Sequence, residues 1–176
     1  MGAQLLCEAL AARPGADGCL RRSVRAHPDC LAPSGERSGG PAYLRVPFDR
    51  KRIAVLRDTG KPARTRYRVL ERFGSAERAF AALVACRLET GRTHQIRVHL
   101  ASQGHAIVGD DRYGDFAANK ALARAPLGQP RFARMFLHAR RLALMHPITG
   151  GALEFAAPLP EECKVFLQEL GSSTAA

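Results

Sequence analysis

The spacing of apolar and polar residues changes near residue 43. Before that point, glycine and proline interrupt each apolar run before it reaches the length of a helix or strand. This pattern predicts an irregular or disordered leader over residues 1–42 and a folded domain over residues 43–176. Inside the domain, residues alternate with a period of two between Arg64 and Phe73, which is typical of a half-buried strand with arginines on its exposed face.

The later apolar runs predict further elements. A segment rich in Val, Leu and Ala predicts a strand over residues 81–88. Thr93 is placed to cap a helix that runs to about Gln103, with Gly104 as the left-handed residue after its end. Residues 135–145 and 152–157 predict a hairpin. A closing helix has one apolar stripe, made of Cys163, Phe166, Leu167 and Leu170. Together these elements predict an α+β fold, with a mainly antiparallel mixed sheet and packed helices.

Composition and charge restrict the classes of function that the chain can have. The chain has 27 Lys and Arg residues against 16 Asp and Glu, a net charge of +11. Such an excess on a small domain favours a polyanionic partner, with nucleic acid ahead of membrane, although a general preference for arginine would also raise the charge. Five cysteines without a C-x-x-C pair argue against a disulfide framework and a zinc knuckle. We expect a cytoplasmic protein without a membrane span.

The densest cluster of polar residues is Thr90 to His99, which lies where a strand is expected to end and a helix to begin. Helix N-termini bind anions, and Arg92 with the Thr93 hydroxyl would add charge-assisted hydrogen bonds to a phosphate. Arg97 follows His94 by three residues and shares its face of the helix, so it is expected to point toward the site or toward a buried acid. The alternative explanation is a helix with a solvated basic face.

This cluster resembles the signature of the RluA-type pseudouridine synthases, T-G-R-T-H-Q-I-R-V-H-L-A followed by G-H-x-I-x-G-D-x-x-Y-G. Both halves are present here, as Thr90 to Ala101 and Gly104 to Gly114. The resemblance extends over about residues 58–170, and the loop after Gly109 is most similar to the large-subunit pseudouridine synthase C branch, which acts on 23S ribosomal RNA. It implies part of the pseudouridine synthase catalytic fold and conversion of uridine to pseudouridine in ribosomal RNA, without a cofactor or a metal.

The resemblance also implies roles for individual residues. In that family an aspartate attacks a uridine flipped out of the RNA, and Arg97 matches the arginine that pairs with this aspartate. A nearby cation lowers the pKa of a carboxyl group by about 1–3 units, which offsets the effect of burial. The implied substrate-binding residues are Arg92, Thr93, His94 and Gln95 on the phosphate side, Ile107 and Val108 as an aliphatic wall for the base, and Tyr113.

The nucleophile motif of the family, H-R-L-D-x-x-T-S-G, is absent from this sequence, as is its later lysine-tyrosine motif. The upstream aspartates Asp29 and Asp49 lack the flanking residues of the motif, and Asp58 lies in the stretch that the family places downstream of its nucleophile. We therefore expect a truncated synthase that lacks the nucleophile and is inactive alone, in which Arg97 has no acidic partner. We also expect an exposed strand edge that favours self-association or a complementary chain. The alternative is a catalytically inactive RNA-binding fragment.

Overall fold

The computed structural model describes residues 4–12, 40–45, 53–56, 61–75 and 78–172. Within these ranges the chain is α+β, as the apolar pattern predicts. The strands are β1 (Gln4–Ala12), β2 (Gly40–Arg45), β3 (Ile53–Leu56), β4 (Lys61–Ala63), β5 (Thr65–Ser75), β6 (Arg78–Leu88), β7 (Ala106–Ile107), β8 (Leu137–Met145) and β9 (Ala152–Ala156), and the helices are α1 (Gln95–Ser102), α2 (Phe116–Ala123) and α3 (Glu161–Ser172).

The larger sheet has the strand order β5-β6-β1-β8-β9, and all of its pairs are antiparallel. Strand β1 lies at its centre, with Cys7 opposite Cys86 of β6 on one side and Ala139 of β8 on the other. The short strand β7 pairs with the end of β1. A smaller sheet has the order β3-β2-β4, and β3 contacts α1.

Helices cover both faces of the larger sheet. Ile96 and Leu100 of α1 pack on one face, against Cys7, Val84 and Cys86. The other face is covered by α3 and α2, whose buried residues Phe166, Leu170 and Leu122 pack with a phenylalanine cluster. Each layer buries apolar surface that contributes about 25 cal/mol per Å². The two layers fix α1, and with it the polar cluster at its N-terminus, against the ends of β5 and β6.

The expectation of an irregular leader over residues 1–42 is wrong for Gln4–Ala12, which forms the central strand β1. Residues Cys7 to Ala11 are buried on both faces, so the segment has a continuous run of small and apolar residues instead of an alternating pattern. Such a run is hard to recognise when alanine and cysteine make up much of it. Residues 13–39 of the expected leader lie outside the described residues, and Gly40–Arg45 crosses the expected boundary as β2.

Most later elements confirm the sequence predictions. The two strands expected around Arg64–Phe73 and 81–88 are β5 and β6, the hairpin is β8 and β9, and Gly104 has a left-handed φ of 76°. β5 is an edge strand in the described part of the sheet. Thr93 as the helix cap is wrong, because the N-cap is His94, with a φ of 56° and no side-chain capping bond. Helix α2, capped by Asp115, was not predicted.

Candidate functional site

The loop between β6 and α1 is held against β5 by Gln95, which is 2% exposed. The side-chain oxygen Oε1 of Gln95 accepts hydrogen bonds from the Thr90 hydroxyl at 2.9 Å and from the Arg92 backbone amide at 3.1 Å. Its side-chain nitrogen donates to the Arg64 carbonyl and to the Thr65 hydroxyl, both at 2.9 Å. These bonds use the whole hydrogen-bonding capacity of the amide. Gln95 therefore positions the loop, and its predicted direct contact with substrate does not fit this geometry.

Arg97 meets an acid inside this chain, so the expectation that it lacks a partner is wrong. Its Nε donates to Oδ2 of Asp110 at 2.9 Å and its Nη2 donates to Oδ1 at 2.7 Å. The Asp110 side chain is fully buried, whereas that of Arg97 is 12% exposed. A third bond runs from Nη2 to the exposed carboxylate of Asp111 at 3.1 Å. Planar, bidentate pairing of this kind fixes the direction of the guanidinium group.

Asp110 also organises the loop that follows β7. Its Oδ1 accepts hydrogen bonds from the backbone amides of Arg112 and Tyr113, each at 2.9 Å. Burial by itself would raise the pKa of the Asp110 carboxyl, but the hydrogen bonds from Arg97 and from these two amides outweigh burial and hold the pKa below its usual range. The carboxylate is therefore charged at neutral pH, and the Asp110 hydrogen bond raises the pKa of Arg97.

Two glycines give this loop the space it needs. Gly109 has a φ of 74°, and a Cβ built there would overlap the carbonyl oxygen of Arg134. A Cβ at Gly114 would overlap the carbonyl oxygen of Asp110. By contrast, a Cβ at Gly91 would meet nothing within 4 Å, so the space around that residue does not require glycine.

Tyr113 joins the two polar residues at the start of α1. Its hydroxyl and Nδ1 of His94 are hydrogen-bonded at 3.1 Å, and the Arg97 guanidinium carbon lies 5.1 Å from the centre of its ring. Burial lowers the pKa of His94, and the charges of Arg97 and Arg112 lower it further, although Asp110 and Asp111 oppose them. His94 is therefore predominantly a neutral hydrogen-bonding group at neutral pH, in a backbone conformation that non-glycine residues rarely adopt.

The remaining predicted site residues divide into exposed and buried groups. Arg92 and Thr93 are exposed beside the loop, where a phosphate can reach them. Ile107 and Val108, the expected aliphatic wall, are 1% and 5% exposed and belong to the hydrophobic cores on the two faces of the sheet. Both side chains are therefore packed in the hydrophobic core.

No group of three metal-ligating side chains comes together among the described residues. Asp110, the most buried of the three aspartates in the loop after β7, is committed to Arg97. The upstream aspartates considered as nucleophiles, Asp29, Asp49 and Asp58, lie outside the described residues. No helix in the described ranges is long and apolar enough to cross a membrane.

Comparison with known proteins matches part of this chain, including Arg97, to a known family. Residues 33–102 match the family described as RNA pseudouridylate synthase, so the match begins upstream of residue 58, where the motif resemblance was expected to begin. The chain is 47% identical over 126 residues to the ribosomal large subunit pseudouridine synthase D of Nitrosomonas europaea, covering 72% of this chain and 34% of that protein. It is 46% identical over 120 residues to the ribosomal large subunit pseudouridine synthase C of Escherichia coli K12, covering 68% of this chain and 35% of that protein.

Solved structures agree on the fold. The human RNA pseudouridylate synthase domain containing 1 superimposes with a TM-score of 0.59 at 24% identity, over 90% of this chain and 55% of that chain. The human RNA pseudouridylate synthase domain containing 4 superimposes with a TM-score of 0.55 at 23% identity, over 96% and 62% of the two chains. This chain spans about one third of the length of the curated relatives it matches.

Proposed function

The chain belongs to the RNA pseudouridylate synthase family, and from this premise we propose that it forms the arginine-bearing part of a synthase that isomerises uridine to pseudouridine in 23S ribosomal RNA. The nucleophilic aspartate then comes from a segment outside this sequence or from a complementary chain. The reaction needs no cofactor in this proposal, and it takes place in the cytoplasm, where ribosomal RNA is made and modified.

The observation that carries this proposal is the fixed direction of the Arg97 guanidinium. Asp110 holds Nε and Nη2, while Nη1 makes no hydrogen bond to any residue in the described part of the chain. Nη1 is thus the atom that can pair with an incoming carboxylate. A cation held within about 4–6 Å of that carboxylate would keep it ionised, and therefore nucleophilic, in a closed pocket.

The exposed residues next to Arg97 suit an RNA backbone. Arg92 and Thr93 lie where β6 gives way to α1, and Gln95 keeps the loop that carries them in one position. Phosphate contacts of this kind fix the register of the RNA without reading its sequence. They would place an unpaired uridine over Arg97, His94 and Tyr113.

The test is reconstitution with the missing nucleophile. The chain is incubated with unmodified large-subunit ribosomal RNA, alone or with the part of the Escherichia coli synthase C that carries the H-R-L-D motif. Pseudouridine is then scored by primer extension after carbodiimide treatment. We expect a stop only in the mixture, and no stop when the motif aspartate of the added segment is changed to Asn. A mixture that binds RNA but gives no stop would contradict the synthase proposal.

The second candidate is an RNA-binding fragment without catalysis. The ion pairs of Arg97 favour this candidate. Asp110 and Asp111 already balance the charge of Arg97 within this chain, so the burial of Arg97 does not require a nucleophilic aspartate. This candidate predicts salt-dependent RNA binding and no pseudouridine under either condition of the reconstitution.

A further inference from the structure

Five arginines share one face of the larger sheet at the end nearest to the α1 loop. Residues directly paired on neighbouring strands point to the same face, and alternate residues along a strand share a face. Arg66 is paired with Arg87, and Leu6 is flanked by Arg87 and Arg141. Arg68 follows Arg66 by two residues. A β-bulge in β8 opposite Leu6 and Cys7 leaves Arg140 without a register partner, so it can share the face of the adjacent Arg141. Arg140 bonds Glu8 on this face, and Glu8 is paired with Ala85, which lies opposite Arg68. We call Arg66, Arg68, Arg87, Arg140 and Arg141 the arginine face.

The arginine face lies on the side of the sheet away from α1. Thr65, which precedes Arg66, faces α1 because its hydroxyl accepts a hydrogen bond from Gln95. Cys86, which precedes Arg87, also faces α1 because it packs in the same cluster as Ile96. Side chains alternate along a strand, so the arginines point to the opposite side. On that side the helical cover ends near Leu83, which is buried in the core cluster of α3 and is paired with the exposed Glu71.

The charges on this face are only partly matched. Glu89 pairs with Arg66, Glu8 with Arg140 and Glu154 with Arg141. Arg68 and Arg87 are exposed and have no ion pair with any described residue. Like charges directly opposite each other, such as Arg66 and Arg87, destabilise a sheet. A polyanion bound across the strands would relieve this repulsion.

The shape of the face decides between forms of nucleic acid. From β5 to β8 it spans three interstrand steps, roughly 14 Å in total. In the described part of the chain this region of the face carries no Phe or Tyr on which an unpaired base could stack. Proteins that hold single strands rely on such stacking, whereas RNA duplexes are held through their backbone and shape.

We propose that the arginine face is a second RNA contact surface, which binds the sugar-phosphate backbone of a duplex segment while the uridine site lies on the opposite side of the sheet. The inference rests on the proposed function for the identity of the polyanion. It adds to it a separate surface that contacts paired RNA beyond the modified nucleotide.

The test uses a short RNA duplex without unpaired uridine, and fluorescence anisotropy over a series of KCl concentrations. Each phosphate contact contributes about 0.9 to the slope of log affinity against log salt. The double variant Arg68→Ala with Arg87→Ala should therefore reduce the slope by about 1.5 to 2. The matched control is Arg124→Ala with Arg131→Ala, which removes the same charge from two exposed positions elsewhere and should leave the slope nearly unchanged. Cooperative thermal melts establish that both variants fold.

Two results would overturn the inference: an unchanged slope in the first double variant, or equal reductions in both. A second probe, an unmodified ribosomal RNA loop with an unpaired uridine, keeps the proposed function separate. If the wild-type chain binds the loop but the arginine-face variant binds the duplex normally, only the inference fails. If the wild-type chain does not bind the loop, the proposed function fails.

Discussion

The guanidinium of Arg97 and the fully buried carboxylate of Asp110 form a two-point hydrogen-bonded pair that joins α1 to the loop after β7. The two residues are 13 positions apart in the sequence, and β7 lies between them. Because a buried charge without a partner is costly, the pair should stabilise the folded chain. It also leaves Nη1 as the atom of Arg97 that can serve a ligand.

Removing the guanidinium should destabilise the chain. Arg97→Ala leaves the Asp110 carboxylate buried with only its two amide hydrogen bonds, and breaking a buried pair in this way costs about 3–5 kcal/mol. Urea unfolding measures the loss. The double variant Arg97→Ala with Asp110→Asn should recover part of it, because no uncompensated charge remains. A loss below about 1 kcal/mol in Arg97→Ala would contradict the importance of the pair.

Stability should fall in acid through Asp110. Its pKa is lowered in the folded chain, so the unfolded chain takes up a proton first as the pH decreases. The contribution is complete above the ordinary carboxyl pKa of about 3.9 and is lost as the pH falls through the lower folded value. Between neutral pH and pH 3, the free energy of unfolding measured in urea should fall less steeply with decreasing pH in Asp110→Asn than in the wild-type chain. The difference in slope should be up to about 1.4 kcal/mol per pH unit. Identical pH dependence in the two proteins would contradict the depressed pKa.

Glycine substitutions in the two loops of the site should have different effects on stability. Gly109→Ala combines a left-handed φ of 74° with a Cβ that overlaps the Arg134 carbonyl, so it should cost more than about 2 kcal/mol or prevent folding. Gly91→Ala places a methyl group in open space and should change stability by less than about 0.5 kcal/mol. Thermal melts of both variants measure the two losses of stability. Equal losses would show that the loop after β7 does not require glycine at position 109.

The Gln95 amide should matter for loop order. Gln95→Ala removes hydrogen bonds to Thr90, Arg92, Arg64 and Thr65, of which only the bond to Thr65 is buried, and each lost bond should cost about 0.5–1.5 kcal/mol. The Arg92 amide should then exchange its hydrogen with solvent faster than in the wild-type chain. Unchanged exchange at Arg92 would show that the Gln95 side chain does not hold the loop.

Much of the fold follows from periodicity. Strand β5 alternates, the β8–β9 hairpin has a turn between two apolar runs, and α3 has a single apolar stripe, so each pattern identifies its element. Strand β1 does not alternate because both of its faces are buried, and its assignment depends on pairing with β6 and β8, which are distant in sequence. Tertiary pairing of this kind leaves no local signal.

The site was only partly predictable for a related reason. The helix periodicity indicates that Arg97 shares a face with His94, but it does not show that the Asp110 carboxylate folds back onto it. A partial signal was present, since Gly109 and Gly114 stand on either side of Asp110 and glycines commonly mark turns and loops. The burial of Ile107 and Val108 on the two faces of the sheet likewise cannot be seen in a linear motif.

The missing nucleophile is tested most directly by tritium release from ribosomal RNA labelled at C5 of uridine, with the purified chain as the sole protein. Positioning and charge stabilisation do not replace an absent attacking group, so release should stay at the level of a protein-free control. Release that rises in proportion to the concentration of the chain would contradict this. It would assign the nucleophile to one of Asp29, Asp49 or Asp58, which single changes to Asn would then identify.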